Sequence, residues 1–344
     1  MPSLPFPKAL KSAADLFARL TTVNVEEAKL TVGLDVGSTT VKAVALGARK
    51  GTGPRPVMGQ SVVPLEADKE TDTSDAIKAA VNALHVPVSA VNLSVSGQWL
   101  IMRIIEMPKM KPNELKQALP FEAQRYLPFN IQDVVIDGAV LGSAEANRAW
   151  VVIVACKKEL IERRVDWAKQ AGVNVGVIDV DALALTNGFL ASVESPRLEG
   201  TRALINVGAQ LTNLVILRGE TPYLVRDIPW GGDKLARNVA DQMGLEADAV
   251  SQALTQSDPA PDALNAVKLS SEALVTELQL SFDYFENRFN QPPEEILISG
   301  GLSQSAAFVN ALKAHLAQTV TPWSPTRELS GQMAVAYGLA LRTN

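Results

Sequence analysis

The sequence predicts an α/β fold built from two similar lobes, each with a sheet that begins in a β-hairpin. Residues 32–46 read VGLDVGSTTVKAVAL, an apolar strand that ends near Asp35, a Gly-Ser-Thr-Thr turn and a second apolar strand. Residues 204–217, LINVGAQLTNLVIL, repeat this plan when Gly37 is aligned with Gly208, which places Asn206 opposite Asp35. Two similar units in one chain predict two similar lobes. Two such hairpins could grip one polyphosphate from both sides.

The first hairpin has the residue types of a phosphate and magnesium site. Gly37 allows a close approach of the backbone or a positive φ angle. Ser38, Thr39 and Thr40 add hydroxyls and N–H groups that can cradle phosphate oxygens. Asp35 at the strand end can hold Mg²⁺ through water, because Mg²⁺ keeps part of its hydration shell. The alternative is an ordinary hairpin in which the Asp and Ser only cap the turn.

Composition limits the class of protein. The 344 residues suggest two or more subdomains, and 47% hydrophobic with 20% charged residues indicates sizeable cores rather than disorder. A net charge of −5 gives no global reason to expect nucleic acid. One cysteine and two histidines argue against a disulfide framework and a structural zinc site, and Cys156 in WVVIVAC is expected to be buried rather than nucleophilic. The apolar runs, about seven residues long, are far short of the ~20 of a membrane-spanning helix, so we expect a soluble, cytosolic protein.

The first part of the chain reads as a helix followed by the sheet of the first lobe. Residues 8–20, KALKSAADLFARL, form an amphipathic pattern that suits either a membrane surface or, as the favoured alternative, packing on its own domain or a partner. Strands are predicted at 57–65 and 91–96, with a helix at 73–84 between them that is capped by Thr73 or Ser74.

Residues 98–171 read as an inserted subdomain. Strands are predicted at 100–106, 134–141 and 149–155, and a helix at 109–126 that Pro120 should break or restart. A helix at 158–171 stops at Gly172, and the chain returns through a strand at 173–180 and a helix at 182–193 to a linker at 193–200.

The second half repeats the first. After a strand at 223–228, Gly231 and Gly232 precede a helix at 234–243, which allows either a close nucleotide approach at the helix N-terminus or a plain start with Asp233 as N-cap. An acidic stretch with a Pro-rich loop covers 245–264, and a long helix is predicted at 268–289. A strand at 296–299 runs into Gly300-Gly301 and a helix, a suitable place for a purine or ribose against bare backbone, and a helix of small residues covers 333–342.

Three motifs in this order, LDVGSTTVK, INVGAQLT and LISGGLS, resemble the actin, heat-shock-chaperone ATPase and sugar-kinase superfamily. GSTTVK, PFEAQRYLPF, the stretch from VVIVACKK to VIDVDALAL and AVAYGLALR are similar to its PilM and FtsA branch, and to the PilM family in particular. The resemblance implies an actin-like duplicated fold of two lobes with four subdomains around a central nucleotide cleft. Residues 1–28 would be an N-terminal extension, 29–97, 173–200 and 331–344 subdomain 1A, 98–172 the inserted subdomain 1C, 201–225 and 294–330 subdomain 2A, and 226–293 subdomain 2B.

The resemblance also implies ATP and Mg²⁺ as ligands. Asp35 would position Mg²⁺ through water, and Glu122 is a weak candidate for a catalytic residue near the cleft. The residues that would bind the nucleotide are Asp35, Gly37, Ser38, Thr39, Thr40 and Lys42 in the first hairpin, Asn206, Gly208, Gln210 and Thr212 in the second, Gly232 and Lys234 on the ribose and adenine side, and Gly300, Gly301 and Leu302 against the adenosine.

One position departs from the family pattern. The second hairpin usually begins with Asp, and this chain has Asn206. An amide has no charge and is a poor base, whereas a carboxylate can hold hydrated Mg²⁺ or orient a water molecule. We therefore expect ATP binding with slow hydrolysis or none.

The PilM resemblance implies a scaffold of type IV pilus assembly at the cytoplasmic face of the inner membrane. Its partners would be the cytosolic N-terminal peptide of a PilN-like single-pass protein and other pilus components, with no nucleic acid and only indirect membrane association. The peptide groove would involve the inserted subdomain, first of all residues 98–105 and 159–170.

Three alternatives remain. An FtsA-like division tether is disfavoured because the sequence ends at Asn344 without an amphipathic tail, and 8–20 is the only substitute. A sugar or acetate kinase needs a base near the transferred phosphoryl group, and the loss of the second-hairpin Asp and the non-kinase inserted subdomain argue against it. A secretion-system relative with a degenerate nucleotide site is disfavoured by the intact GSTTVK and SGG motifs.

Overall fold

The computed structural model describes residues 30–49, 53–65, 70–144, 147–192, 199–254 and 261–343. The predicted helix at 8–20 lies outside these ranges, as does most of the linker at 193–200 and part of the Pro-rich loop before the long helix. The described residues divide into two compact units: unit 1 holds those in 30–36, 40–181 and 339–343, and unit 2 holds those in 37–39 and 182–338.

Strands and helices follow in an order close to the predicted one. The strands are β1 (Leu30–Val36), β2 (Thr40–Gly47), β3 (Val57–Pro64), β4 (Ala90–Val95), β5 (Leu100–Pro108), β6 (Val134–Ser143), β7 (Arg148–Lys157), β8 (Asn174–Val180), β9 (Thr201–Val207), β10 (Thr212–Arg218), β11 (Thr221–Ile228), β12 (Glu295–Gly300) and β13 (Thr319–Pro322). The α-helices are α1 (Glu70–Asn82), α2 (Pro112–Ala123), α3 (Lys158–Gln170), α4 (Asp181–Ser192), α5 (Gly232–Met243), α6 (Ala247–Ala253), α7 (Pro261–Phe289), α8 (Ala306–His315) and α9 (Ala334–Ala340).

The two units contain five-stranded sheets of the same topology. Unit 1 has the order β3-β2-β1-β4-β8 and unit 2 the order β11-β10-β9-β12-β13, with the first three strands of each sheet antiparallel and the last two added in parallel. The hairpin registers also coincide, because Asp35 lies opposite Lys42 and Asn206 lies opposite Asn213. The predicted duplication is therefore confirmed at the level of strand pairing.

A three-stranded antiparallel sheet of order β5-β7-β6 interrupts the first unit between β4 and β8. Helix α2 packs on it through Leu115, Leu119 and Ala123, which form a core with Val151 and Ile153. This sheet lies inside the stretch 98–172 that was assigned to the insert, although the subdomain boundaries themselves stay a prediction.

Several predicted element boundaries were wrong. Helix α2 continues through Pro120 to Ala123 without a break. Only one helical turn follows Pro120, and the Pro120 carbonyl accepts from the Gln124 N–H. The packed face of the helix before and after Pro120 keeps this residue in the helix. Helix α1 begins at Glu70, so that Thr73 and Ser74 lie inside it rather than at its N-cap. The short elements β13 and α6 were not predicted.

The C-terminal end of the last helix, from Leu339 onward, belongs to unit 1 and is held there by polar side chains. The buried Asn92 amide on β4 donates to the carbonyls of Leu339 and Arg342, each at 2.9 Å, and the Thr31 hydroxyl donates to Ala340. Arg342 Nε lies 3.1 Å from Oδ2 of Asp179 on β8. These contacts satisfy carbonyls that the end of a helix leaves without intrahelical partners.

Among the described residues, no helix is both long and apolar enough to span a membrane.

Candidate functional site

Asp35 is held at the end of β1 by a cation on the neighbouring strand. Lys42 Nζ lies 3.1 Å from Asp35 Oδ2, and both side chains are largely buried. The pair exists because the two residues lie opposite each other in the hairpin register. The carboxylate is therefore oriented beside the phosphate-type turn, with an ammonium group next to it.

Arg164 on α3 is a second cation at this place. Its Nη1 donates to the Val36 carbonyl at 3.0 Å, and its guanidinium lies over Trp167 at 5.1 Å from the ring centre. Burial lowers the pKa of Arg164, and the carboxylates of Asp181 and Asp35 oppose that effect. Its Nε is enclosed and finds no hydrogen-bond partner in the part of the chain that the structure describes.

The turn between β1 and β2 carries the predicted phosphate ligands. Ser38 and Thr39 are exposed, and Thr40 is half-buried as the first residue of β2. Their roles stay a prediction.

The second hairpin replaces the ion pair with a ladder of amides. Asn206 Nδ2 donates to Asn213 Oδ1 at 3.1 Å, and Asn213 Nδ2 donates to Asp227 Oδ1 at 2.8 Å. The Ser299 hydroxyl lies 3.3 Å from Asn206 Oδ1. Since these four residues lie on four adjacent strands, both ends of the Asn206 amide already have partners within the sheet.

The glycines before α5 bring the helix start against the turn of the second hairpin. The Gly232 N–H donates to the Gly208 carbonyl at 2.9 Å, and the Asp233 N–H donates to the Ala209 carbonyl at 2.8 Å. A Cβ on Gly231 would lie 2.4 Å from that Ala209 oxygen, so only glycine fits there. The close approach is thus to the protein backbone, and the N-cap is Gly231 rather than the alternative Asp233.

The Gly-Gly motif after β12 belongs to the same part of unit 2. Gly300 has φ +88°, and a Cβ there would lie 2.3 Å from the Val207 carbonyl oxygen. The buried Leu302 lies next to Gly232, because a Cβ on that glycine would be 3.7 Å from Leu302 Cγ. Unit 2 therefore brings together Gly208, Gly232, Gly300 and Leu302.

Other predicted nucleotide ligands of unit 2 differ in exposure. Gln210, Lys234 and Gly301 are exposed. Thr212 is fully buried, and its hydroxyl donates to the Trp230 carbonyl at 2.7 Å. The predicted phosphate contact of Thr212 stays a prediction.

Glu122 and Cys156 lie in the inserted subdomain. The Glu122 carboxylate forms a surface pair with Arg125 at 3.2 Å, and its suggested catalytic role stays a prediction. Cys156 is buried as predicted, and burial raises the pKa of its thiol to about 12. The thiolate is therefore disfavoured at neutral pH.

Magnesium would have to be held mainly by water and phosphate oxygens. No group of three or more His, Cys, Asp or Glu side chains suited to a metal occurs among the described residues. A single oriented carboxylate, Asp35, suits Mg²⁺, which is commonly bound through one or two carboxylates, waters and substrate phosphates.

Sequence reasoning missed Arg164, Asn213, Asp227 and Ser299. Asn213 could have been found, because it is separated from Asn206 by the same seven positions that separate Lys42 from Asp35. Arg164 lies in an ordinary charged helix pattern, and its contact with Val36 bridges 128 positions of sequence.

The comparisons with known proteins agree with this architecture. The sequence model of the family described as Type IV pilus assembly protein PilM matches residues 33–344. A solved PilM-PilN type IV pilus biogenesis complex is similar with a TM-score of 0.78 and 24% identity, covering 92% of this chain and 98% of that chain.

Two further solved structures are similar at 12% identity. The ethanolamine utilization protein EutJ from Carboxydothermus hydrogenoformans has a TM-score of 0.57, with 95% of this chain and 94% of that chain covered. A protein of unknown function with an actin-like ATPase fold from Bacteroides thetaiotaomicron has a TM-score of 0.50, with 91% and 96% covered. The predicted actin-like fold is thus confirmed.

Proposed function

The chain belongs to the family of type IV pilus assembly proteins PilM, and from that membership we propose that it is an ATP-binding, actin-like scaffold of the assembly. It would act in the cytoplasm at the inner membrane, without crossing it. The observation that supports ATP binding is the pair of hairpins in identical register, each with a polar cross-strand pair beside a glycine turn.

The nucleotide ligands follow from the chemistry of each element. Asp35 would orient hydrated Mg²⁺, and Lys42 would exchange its carboxylate partner for a phosphate when the metal arrives. The turn at 37–40 would supply N–H and hydroxyl donors, and the exposed Gln210 in the turn of the second hairpin would add N–H donors. The bare backbone at Gly300 and Gly301, with Leu302, would pack on the adenosine.

Hydrolysis would be weak or absent. The only carboxylate at the two strand ends is Asp35, and the amide at position 206 is held by Ser299 and Asn213. An amide in that position has no charge to hold hydrated Mg²⁺ and is a poor base toward water. ATP would therefore serve as a bound ligand rather than as a rapidly consumed substrate.

The partner would be the cytosolic N-terminal peptide of a PilN-like membrane protein, together with other pilus assembly components. Support comes from the similar PilM-PilN complex and from the inserted sheet, in which β5 and β6 are the outer strands among the described residues. An extended peptide can add to such an edge. We favour β5, which contains residues 100–105 of the predicted stretch 98–105 and has the exposed Arg103 between the half-exposed Ile101 and Ile105.

Nucleotide binding can be tested through its dependence on magnesium. The wild-type protein should bind a fluorescent ATP analogue more tightly in Mg²⁺ than in EDTA, by roughly tenfold or about 1.4 kcal/mol. Asp35→Asn should remove this difference, and the exposed Asp75→Asn on α1 should keep it. Equal affinities with and without Mg²⁺ in the wild-type protein would refute the assignment of Asp35.

Partner binding can be tested by a pull-down from detergent-solubilised cells with and without Mg-ATP, followed by mass spectrometry. Recovery of a single-pass membrane protein with a short cytosolic N-terminal tail is expected, and recovery of a tubulin-like polymer would instead indicate a division tether. A synthetic peptide of the tail should then bind the purified chain. Arg103→Glu on β5 should weaken it, whereas Val140→Glu on the exposed part of β6 should not.

A further inference from the structure

Helix α3 is anchored to the inserted three-stranded sheet at its N-terminal end. The Lys157 ammonium, just before the helix, lies 4.4 Å from the ring centre of Trp99 and 4.8 Å from that of Phe129. Lys158 Nζ donates to the Gln132 carbonyl at 2.6 Å. The start of α3 is therefore held against two parts of the inserted sheet, the residue before β5 and the segment before β6.

The other end of α3 is anchored to the five-stranded sheet of unit 1. The Ser74 hydroxyl of α1 donates to Gln170 Oε1 at 2.9 Å, and the helix packs along β8. The buried Ala168 and the turn at Gly172, with φ +81°, lead directly into that strand. Helix α3 thus connects two sheets of the same unit as one rigid element.

Arg164 lies in the middle of this connection and touches the first phosphate-type loop. It donates to the carbonyl of Val36, the residue between Asp35 and Gly37. Because a peptide group is planar and trans, holding the Val36 C=O from one side directs the Gly37 N–H to the opposite side. Glycine at 37 adds conformational freedom, so without this contact the peptide group would be less constrained.

The charges around Arg164 strengthen this arrangement. The carboxylates that act on it electrostatically are Asp181 at the start of α4 and Asp35 at the end of β1. A guanidinium stays protonated and offers donors in a fixed fork, which suits it to hold a carbonyl and a carboxylate at once. Its enclosed, unpartnered Nε leaves a donor for an additional acceptor.

We propose that Arg164 is a positioning residue that couples peptide binding at the inserted subdomain to Mg-ATP binding at the first phosphate loop. This coupling rests on the proposed function, because it links the two ligands named there. Mg-ATP would hold the loop in one conformation, and this constraint would pass through the Val36 carbonyl and Arg164 to α3. With α3 already ordered, less conformational entropy is lost when the peptide binds. By linkage, the peptide raises the affinity for Mg-ATP by the same factor.

The test measures both affinities in the full-length protein, each with and without the other ligand. A fluorescent ATP analogue with Mg²⁺ and the synthetic partner peptide serve as probes. We expect each ligand to tighten the other by about fivefold or more in the wild-type protein, within the usual range of such couplings. Arg164→Met, which keeps a long apolar stem and a similar helix propensity, should reduce this factor to about one.

Matched variants separate coupling from folding. Arg163→Met removes an exposed arginine next to Arg164 on the same helix and should keep the wild-type factor. Arg164→Lys keeps the charge but loses the fork, and it should restore part of the coupling. If Arg164→Met fails to fold, judged by circular dichroism, the intermediate factor of Arg164→Lys is the deciding measurement.

Two results would overturn the proposal in distinguishable ways. If the wild-type protein binds both ligands but independently, or if Arg164→Met and Arg164→Lys both retain the wild-type factor, the coupling is wrong and the proposed function stands. If the wild-type protein binds neither ligand, the proposed function is wrong and the coupling with it.

Discussion

Removing the Arg342 guanidinium should destabilise unit 1 strongly. Asp179 is 0% exposed and Arg342 is 8% exposed, and their side chains lie 3.1 Å apart. Arg342→Met would leave a buried carboxylate without its counter-ion, which typically costs about 3–5 kcal/mol in free energy of unfolding. The Val180 N–H at 2.8 Å would remain as a partner of Asp179, but a single N–H does not replace a cation.

The pH dependence of this loss follows from the pKa of Asp179. Burial raises that pKa in the folded protein, and Arg342 and the Val180 N–H oppose the increase. A carboxyl group with a raised folded pKa stabilises the fold below its unfolded value of about 3.9, and this contribution is lost as pH rises through the folded pKa. Without Arg342 the folded pKa rises further, so the difference between variant and wild type should be largest near pH 7 and should close toward pH 4.

Thermal unfolding followed by circular dichroism at pH 7 and pH 4.5 measures both effects. For a unit of this size, the loss corresponds to a melting temperature lower by roughly 6–20 °C. The control is Arg148→Met, which breaks the Arg148–Glu106 pair whose side chains are 46% and 36% exposed and should cost about 0–1 kcal/mol. Equal melting temperatures for the two variants, or a pH-independent loss in Arg342→Met, would refute the reasoning.

Three further predictions concern the site and the insert. Cys156 should resist thiol reagents at pH 8 in the native protein and react fully in denaturant, since burial raises its thiol pKa to about 12. Gly300→Ala should destabilise the protein by roughly 1–3 kcal/mol or more and weaken ATP binding, because of the strained φ and the Val207 carbonyl, whereas Gly301→Ala, with open space around it, should leave the stability at the wild-type value. The Asn206→Asp variant should hydrolyse ATP more slowly than the double variant Asn206→Asp with Asp227→Asn, as measured by a phosphate-release assay.

The fold could be predicted largely from local patterns. Apolar strands around glycine turns and the repeat of one hairpin by the other indicated the duplicated sheets, because strand pairing within a hairpin depends on nearby residues. Boundaries were less predictable where tertiary packing decides them. Pro120 is a helix breaker by propensity, and only the packing of α2 on the inserted sheet keeps it helical.

The site was predictable only in its backbone motifs. The glycine turns and Asp35 are visible in the sequence, but the side chains that hold them come from distant positions. Arg164 reaches Val36 across 128 positions, and Ser299 reaches Asn206 across 93 positions. Such contacts cannot be predicted from local sequence periodicity, because they depend on how separate elements pack.

The amide ladder explains why restoring a carboxylate at position 206 alone should do little. Asn206 Nδ2 donates to Asn213 Oδ1, and an aspartate would instead place a carboxylate oxygen against that acceptor. Asn213 could turn its NH₂ toward the new carboxylate, but its oxygen would then face Asp227, to which it now donates. Changing Asp227 to Asn supplies an NH₂ for that oxygen, so the double variant can reverse the donor direction of the whole ladder. Faster hydrolysis in the double variant would therefore assign the proposed low activity to the missing carboxylate, and no gain would contradict that assignment.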